Sequence, residues 1–258
     1  MCNRTTYLEH LGEIAWPATM VWVELAYYVS HMGQFMQYPT EEHLASLRLH
    51  MGYLFSDPGK KLVFGGDLLV PFGVDTMPPF FHESRGLYGV SDSSWGTRAK
   101  PQGGHTMMRT NAAVLWMSNA LKIVADSTAH AETAELSRLA KSAVYMRTVG
   151  DETRRPVLGP TLLLGDNKAS TELAVKEGSS SKSRHFERAT IFIKYAIQRL
   201  IVIVQLVSTK MMIADIFTKA VDMATFDLMR SKLRNIPMEG ASERARRIGA
   251  WILNAFNR

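Results

Sequence analysis

The stretch TLLLGDNKAST, residues 161–171, constrains the fold of this chain more than any other feature. Its three consecutive leucines predict a short buried strand, and the residues that follow have the pattern of an amphipathic helix. Because the strand ends in Gly165-Asp166-Asn167, a carboxylate lies where strand gives way to helix. Two interpretations are open: Asp166 is a turn residue or helix N-cap, or it belongs to a ligand site at the edge of a sheet.

Composition bounds the class of protein. The 258 residues are enough for one large or two modest domains. The 30 Lys and Arg outnumber the 24 Asp and Glu, which permits a polyanionic partner. A single cysteine, Cys2, excludes an internal disulfide and favours a reducing compartment. Because we find neither a secretory signal nor a run of roughly 20 apolar residues, we expect an intracellular protein without a membrane partner.

The sequence pattern changes after about the first third of the chain. Residues 7–36 predict two short helices broken near Pro17, and Thr40 predicts the N-cap of a further helix. Residues 56–84 are rich in Pro, Gly and Asp, which predicts a domain boundary there. Beyond it, strand and helix patterns alternate, with strands expected in HTMMRTNAAVLWM and in LKIVAD, residues 121–126. This alternation is typical of an α/β protein with a mixed sheet.

Three further carboxylates have positions comparable to that of Asp166. Asp92 ends a predicted strand, Glu132 lies early in a long amphipathic helix, and Asp215 lies in a predicted helix after the last strand. Successive members of the set are separated by 34 to 49 residues, so only the fold can bring them together. Because ligands bind at the carboxyl ends of neighbouring strands in open α/β sheets, we expect Asp92 and Asp166 on adjacent strands.

Carboxylates that converge in this way repel one another unless a cation neutralises them. Oxygen ligands alone favour a hard ion, Mg²⁺ or Mn²⁺. Two such ions about 4 Å apart activate water and stabilise a leaving oxygen in phosphodiester cleavage. The alternative is that the acids are unrelated cap, turn and surface residues, because four chosen from 24 fit some pattern by chance.

Several blocks of sequence carry a resemblance to a known family. Downstream of residue 85 they are YGVSDSSWG, Gly104 followed by Trp116, DSTAHAETAEL, GDNKAS, SKSRHFERATIFI and LVSTKMMIADIFTKAV. Upstream they are YLEHLGEIAW, WVELAYYVSHMGQFMQYPTEEHL and LRLHMGYLFSDPGKKLVFGG. In this order the chain resembles the C-terminal part of a copia-type retrotransposon polyprotein, the end of its reverse transcriptase followed by its ribonuclease H domain.

The resemblance implies an architecture. Residues 85–235 are expected to form a ribonuclease H-like domain, a mixed five-stranded sheet flanked by helices. Residues 1–75 are expected to be a small, mainly helical remnant of the reverse transcriptase connection region, and residues 236–258 a basic tail. The resemblance implies that a polymerase normally packs on the first segment, so we expect the apolar surface around Trp16, Trp22, Tyr27 and Tyr28 to be exposed or covered by a partner.

The resemblance also implies a function: endonucleolytic cleavage of the RNA of an RNA–DNA hybrid with two Mg²⁺ or Mn²⁺ ions. Asp92 would bridge both ions, Glu132 and Asp166 would hold one with it, and Asp215 would complete the other. The other implied partner is a reverse transcriptase polymerase segment or another chain, in a cytoplasmic virus-like particle or the nucleus. A basic cluster is either a nucleic-acid contact or a solvated helix start: Lys182, Arg184, His185 and Arg188.

Departures from the family pattern generate an alternative. Thr106, Arg109, Thr110 and Asn111 stand where the family has mostly apolar residues, which predicts a weakened core hairpin. The chain would then be a catalytically inactive retrotransposon relic or a nucleic-acid-binding module of the same fold. A different nuclease or an integrase of the same broad fold is a third hypothesis.

Overall fold

The computed structural model describes residues 3–56, 61–95, 100–175 and 187–238, and its first part is helical. The helices are α1 (Arg4–Met20), α2 (Ala26–Met32) and α3 (Glu41–Phe55). Thr40 caps α3 as predicted, accepting a hydrogen bond from the His43 amide. The predicted break at Pro17 is wrong, since α1 runs through it. Only the last turn follows Pro17, whose carbonyl still accepts from the Val21 and Trp22 amides.

The second part is a five-stranded mixed sheet with the order β3-β2-β1-β4-β5. Its strands are β1 (Tyr88–Ser94), β2 (Gln102–Arg109), β3 (Ala112–Ala120), β4 (Thr161–Gly165) and β5 (Val202–Leu206). The β1–β2 and β2–β3 pairs are antiparallel, and the β1–β4 and β4–β5 pairs are parallel. The flanking helices are α4 (Thr128–Glu152), α5 (Lys168–Val175), α6 (Glu187–Gln198) and α7 (Met223–Arg234). The predicted fold class is confirmed.

Apolar side chains cover both faces of the sheet. In β4, Leu162 and Leu164 join a core cluster that includes residues of 212–217 and α7, whereas Leu163 joins the cluster formed with α4 and α6. The run of leucines thus supplies both faces, because neighbouring side chains of a strand point to opposite sides. Both faces of β4 are therefore core faces, and Asp166 lies just beyond the end of the strand.

The hairpin of β2 and β3 is well formed. Its turn residues, Thr110 and Asn111, have φ values of 50° and 72°, as a two-residue type I′ turn requires. The Asn111 side chain donates to the carbonyls of Gly65 and Asp67, and the fully buried Thr106 donates its hydroxyl hydrogen to the Leu115 carbonyl. The expectation that polar residues weaken this hairpin is wrong, because they are satisfied or lie at the turn.

The strand predicted in residues 121–126 is also wrong, since no strand is assigned there. The Leu121 amide donates to the Pro101 carbonyl, one residue before β2 begins. β3 ends at Ala120, which pairs with Gln102, the first residue of its neighbour β2. The apolar character of Leu121 reflects burial rather than strand structure.

A buried ion pair fastens the N-terminal helices to α7. Arg234 donates two hydrogen bonds to Glu24, at 2.9 and 2.7 Å, and both side chains are fully buried. Tyr53 donates a third hydrogen bond to Glu24, and the Trp22 ring lies 5.1 Å from the Arg234 guanidinium carbon. Trp22 is therefore buried, contrary to expectation, whereas Trp16 is 70% exposed. The boundaries 1–75, 85–235 and 236–258 stay a prediction.

Within the described ranges, no helix is both long enough and apolar enough to cross a membrane.

The Glu24–Arg234 pair gives a test of how the N-terminal helices are held. We expect Glu24→Ala to lower the free energy of unfolding by about 3–5 kcal/mol, because it leaves the Arg234 charge buried without a partner. The measurement is equilibrium urea denaturation. The matched control is Glu13→Ala, which removes the exposed His10–Glu13 pair and should cost no more than about 1 kcal/mol. Equal, small losses in both variants would contradict the account.

Candidate carboxylate metal centre

Three of the predicted carboxylates meet at one end of the sheet. Asp92 lies in β1 opposite Gly104 of β2, and Asp166 directly follows β4, the parallel neighbour of β1. Glu132 projects from the first turns of α4. One oxygen of each carboxylate lies within 4.8 Å of the other two. Asp92 and Glu132 are buried and Asp166 is partly buried, so three distant segments build one acidic centre.

The local structure shows whether Asp166 caps α5 or belongs to the carboxylate centre. The residue that caps α5 is Asn167, whose side-chain oxygen accepts the Ser170 amide at 3.0 Å. The Asn167 carbonyl accepts the Thr171 amide as well. The capping interpretation of Asp166 is therefore wrong, and the Asp166 carboxylate instead lies with those of Asp92 and Glu132.

A glycine allows a further segment to reach this centre. A side chain at Gly104 would come within 2.3 Å of the Phe217 Cβ, so only glycine lets the segment 213–218 lie on the sheet beside Asp92. The Ser118 hydroxyl fastens the segment by donating to the Phe217 carbonyl at 2.6 Å. The Thr218 hydroxyl then donates to the Asp92 carboxylate. The glycine on β2 thus positions Thr218, a site residue that the sequence analysis missed.

Asp215 lies beside the three-carboxylate group. It sits in a short 3-10 helix, Ile213–Phe217, rather than in the longer helix that was predicted. Its carboxylate is near enough to Asp92 for the Asp92 charge to raise its pKa, and the Lys219 ammonium lies 2.9 Å from its Oδ1. Lys219 was also missed, although its place four residues after Asp215 is the spacing of a helical ion pair.

The electrostatics of the centre are those of crowded, poorly solvated acids. Burial, and then the charges of Asp92 and Asp166, raise the pKa of Glu132 to about 9. Burial and the charge of Asp92 raise the pKa of Asp166 as well, and they raise the pKa of Asp215 to about 7. Burial alone would lower the pKa of Lys219, but its hydrogen bond to Asp215 and the nearby carboxylates raise it.

These residues fit a divalent cation. Each carboxylate offers oxygen ligands, which hard ions such as Mg²⁺ and Mn²⁺ prefer. Within the described part of the chain, protein donors satisfy the acids incompletely: Glu132 accepts one backbone hydrogen bond, from Ser93, at 3.1 Å. A bound cation would lower the pKa of each carboxyl, because opposite charge favours the ionised form. The arrangement therefore favours cation binding over a purely structural role.

The predicted nucleic-acid contacts lie mostly outside the described ranges. The residues outside those ranges are Lys182, Arg184 and His185, and their part in binding stays a prediction. Arg188 is described and is exposed in the first turn of α6. An exposed arginine in this position is equally suited to solvent and to a phosphate group, so geometry leaves both interpretations open.

The raised pKa of Glu132 predicts a pH dependence of stability in EDTA. A carboxyl whose folded pKa is about 9 binds its proton more tightly when folded, so its contribution is full below pH 4.5 and is lost as pH rises towards 9. As pH rises from 4.5 to 9, we expect the free energy of unfolding to fall less for Glu132→Gln than for wild type. The exposed substitution Glu152→Gln serves as the control. Parallel pH profiles of all three proteins would contradict the electrostatic account.

Comparison with known proteins gives one similarity in sequence. No family model matches the chain. Over 214 residues, 81% of its length, the chain is 24% identical to the retrovirus-related Pol polyprotein from transposon RE1 of Arabidopsis thaliana. The aligned part is 14% of that polyprotein, so the chain corresponds to a small portion of its relative.

Comparison with solved structures gives several ribonuclease H neighbours. RNase H1 from Halobacterium salinarum is 12% identical, with a TM-score of 0.40, and the match covers 51% of this chain and 93% of that one. The foamy viral protease–reverse transcriptase in complex with RNA/DNA hybrid is 12% identical, with a TM-score of 0.39, and the match covers 56% and 20%. The resemblance to a retrotransposon polyprotein, drawn from sequence motifs, is thus confirmed.

Proposed function

We propose that this chain is the ribonuclease H portion of a copia-type retrotransposon polyprotein, an endonuclease that cleaves the RNA strand of an RNA–DNA hybrid. The observation that carries the proposal is the convergence of Asp92, Glu132 and Asp166 within 4.8 Å. These acids come from β1, α4 and the end of β4, and the sequence resemblance by itself indicates each of them. Unrelated cap and turn residues have no reason to meet in this way.

The four carboxylates would hold two Mg²⁺ or Mn²⁺ ions: Glu132 and Asp166 would hold one together with Asp92, and Asp215 would hold the other together with Asp92. When bound, such ions activate a water and stabilise the leaving oxygen of a phosphodiester. The chain's own part is to hold the acids in place. Thr218 orients Asp92 and the Ser93 amide orients Glu132, while burial limits the access of solvent to their oxygens.

Substrate selection would depend on surfaces around the centre. Selectivity for a hybrid requires contacts to the 2′-hydroxyls of one strand and to the deoxyribose geometry of the other. We assign the phosphate contacts to Lys182, Arg184, His185 and Arg188, in keeping with the formal net charge of +6. A polymerase segment, carried on a longer polyprotein or on another chain, would deliver the hybrid, in a virus-like particle or the nucleus.

The well-formed hairpin weakens the proposal that this chain is an inactive relic. That alternative was based on polar residues in β2 and its turn, and those residues are satisfied where they lie. The carboxylate centre depends on β2 through Gly104, so a disordered hairpin would have removed the support of Thr218 and Asp215. The regular hairpin therefore supports the enzyme over the relic, and enzymatic activity is the direct test.

Asp166→Asn provides that test. The variant keeps the size of the side chain and leaves the Asn167 cap of α5 untouched, but it removes a charge that a cation requires. Loss of a group that only orients a metal ligand typically costs 10- to 100-fold in activity, so we expect loss of a ligand to exceed about 100-fold. The measurement is Mg²⁺-dependent release of labelled RNA from an RNA–DNA hybrid. The matched control is Asp75→Asn, at an exposed aspartate, which should cleave at the wild-type rate.

Two outcomes would contradict the proposal. Equal Mg²⁺-dependent cleavage by wild type and Asp166→Asn would exclude Asp166 from the catalytic centre. No cleavage by wild type, in a preparation that unfolds cooperatively, would favour a nucleic-acid-binding module or an inactive relic.

A further inference from the structure

The Lys219 ammonium is a cation already present at the carboxylate centre. Its Nζ lies 2.9 Å from Asp215 Oδ1, and the Asp215 side chain is only 11% exposed. The Lys219 side chain is 46% exposed, so this ion pair is open to solvent on the lysine side. A competing cation can therefore approach Asp215 from that side.

The backbone that carries Lys219 is fixed, whereas its side chain is free to move. Thr218 binds Asp92 through its hydroxyl, and its carbonyl accepts the Ser94 hydroxyl at 3.2 Å. The Lys219 amide donates to the Asp215 carbonyl at 3.1 Å. Beyond this anchored backbone, the Lys219 side chain is 46% exposed and has four rotatable carbons. The ammonium can therefore leave Asp215 without any change in the fold.

A neighbouring cavity offers the ammonium a second position. Lys219 lines a cavity of about 650 Å³ between the N-terminal helices and residues 216–226. Its wall includes the aromatic rings of Tyr27, Tyr28 and Phe226. Aromatic faces attract ammonium groups, and the apolar stem of a lysine packs well along such a wall. The cavity thus offers the Lys219 ammonium a place outside the carboxylate centre.

We propose that Lys219 is a positioning residue that acts as a built-in counter-cation, occupying the Asp215 side of the centre and competing there with the second divalent ion. This inference rests on the proposed function, because it concerns the same carboxylates. Asp92, Glu132 and Asp166 would hold the first ion, whereas the Lys219 ammonium lies at Asp215. Asp215 would be available to a second ion once the ammonium has left it.

The test is the binding of Mn²⁺ to the complete chain without substrate, followed by calorimetry and by the electron paramagnetic resonance signal of free Mn²⁺. Wild type should bind one ion tightly and a second weakly. Lys219→Met keeps the apolar stem and removes the charge, so it should tighten the second site at least about tenfold and change the first by less than about threefold. Lys219→Arg restores a positive charge and should return the second site towards wild-type affinity.

Lys210→Met is the matched control, because Lys210 is an exposed lysine in the neighbouring 3-10 helix Thr209–Met211. It should leave both Mn²⁺ affinities at their wild-type values. A purely structural role for Lys219 predicts that Lys219→Met weakens Mn²⁺ binding or leaves it unchanged, and either result would overturn the inference. Failure of wild type to bind any Mn²⁺ would instead overturn the proposed metal centre itself, so the two failures are distinguishable.

Discussion

Mutual repulsion among buried carboxylates is the constraint around which this structure is organised. Asp92 and Glu132 are nearly excluded from solvent, and Asp166 is held within 4.8 Å of both. Such a group costs free energy when all its members are ionised, and that cost is visible in the pKa of Glu132, raised to about 9. A fold that keeps this arrangement must hold it rigidly, and a bound cation would offset its cost in free energy.

The rigidity comes from the sheet and from what is packed on it. Parallel pairing of β1 with β4 sets the separation of Asp92 and Asp166, and apolar clusters cover both faces of these strands. Gly104 lets the segment that carries Asp215 and Thr218 lie directly on β2. The Glu24–Arg234 pair fastens the N-terminal helices to α7, on the same side of the molecule as that segment. The centre is thus held from both the sheet and the helices.

The fold class and the residues of the centre could be predicted from the sequence, because the leucines of β4 and the order of the motifs can both be recognised in a single sequence. It failed where the outcome depends on neighbours in space. Asp166 and Asn167 are adjacent and both can cap a helix, so only the structure shows that Asn167 does. Pro17 predicts a helix break, but α1 continues for one turn beyond it, and the Pro17 carbonyl accepts the Val21 amide. Lys219 gained significance only from the packing of its segment against β2.

The most direct test of the central claim is the position of Mn²⁺ in crystals of the complete chain, located by its anomalous scattering. The account predicts an ion coordinated by oxygens of Asp92, Glu132 and Asp166, at roughly the 2.0–2.6 Å typical of hard cations and carboxylates. Anomalous peaks elsewhere on the molecule, with these carboxylates bonded only to protein groups and water at saturating Mn²⁺, would contradict it.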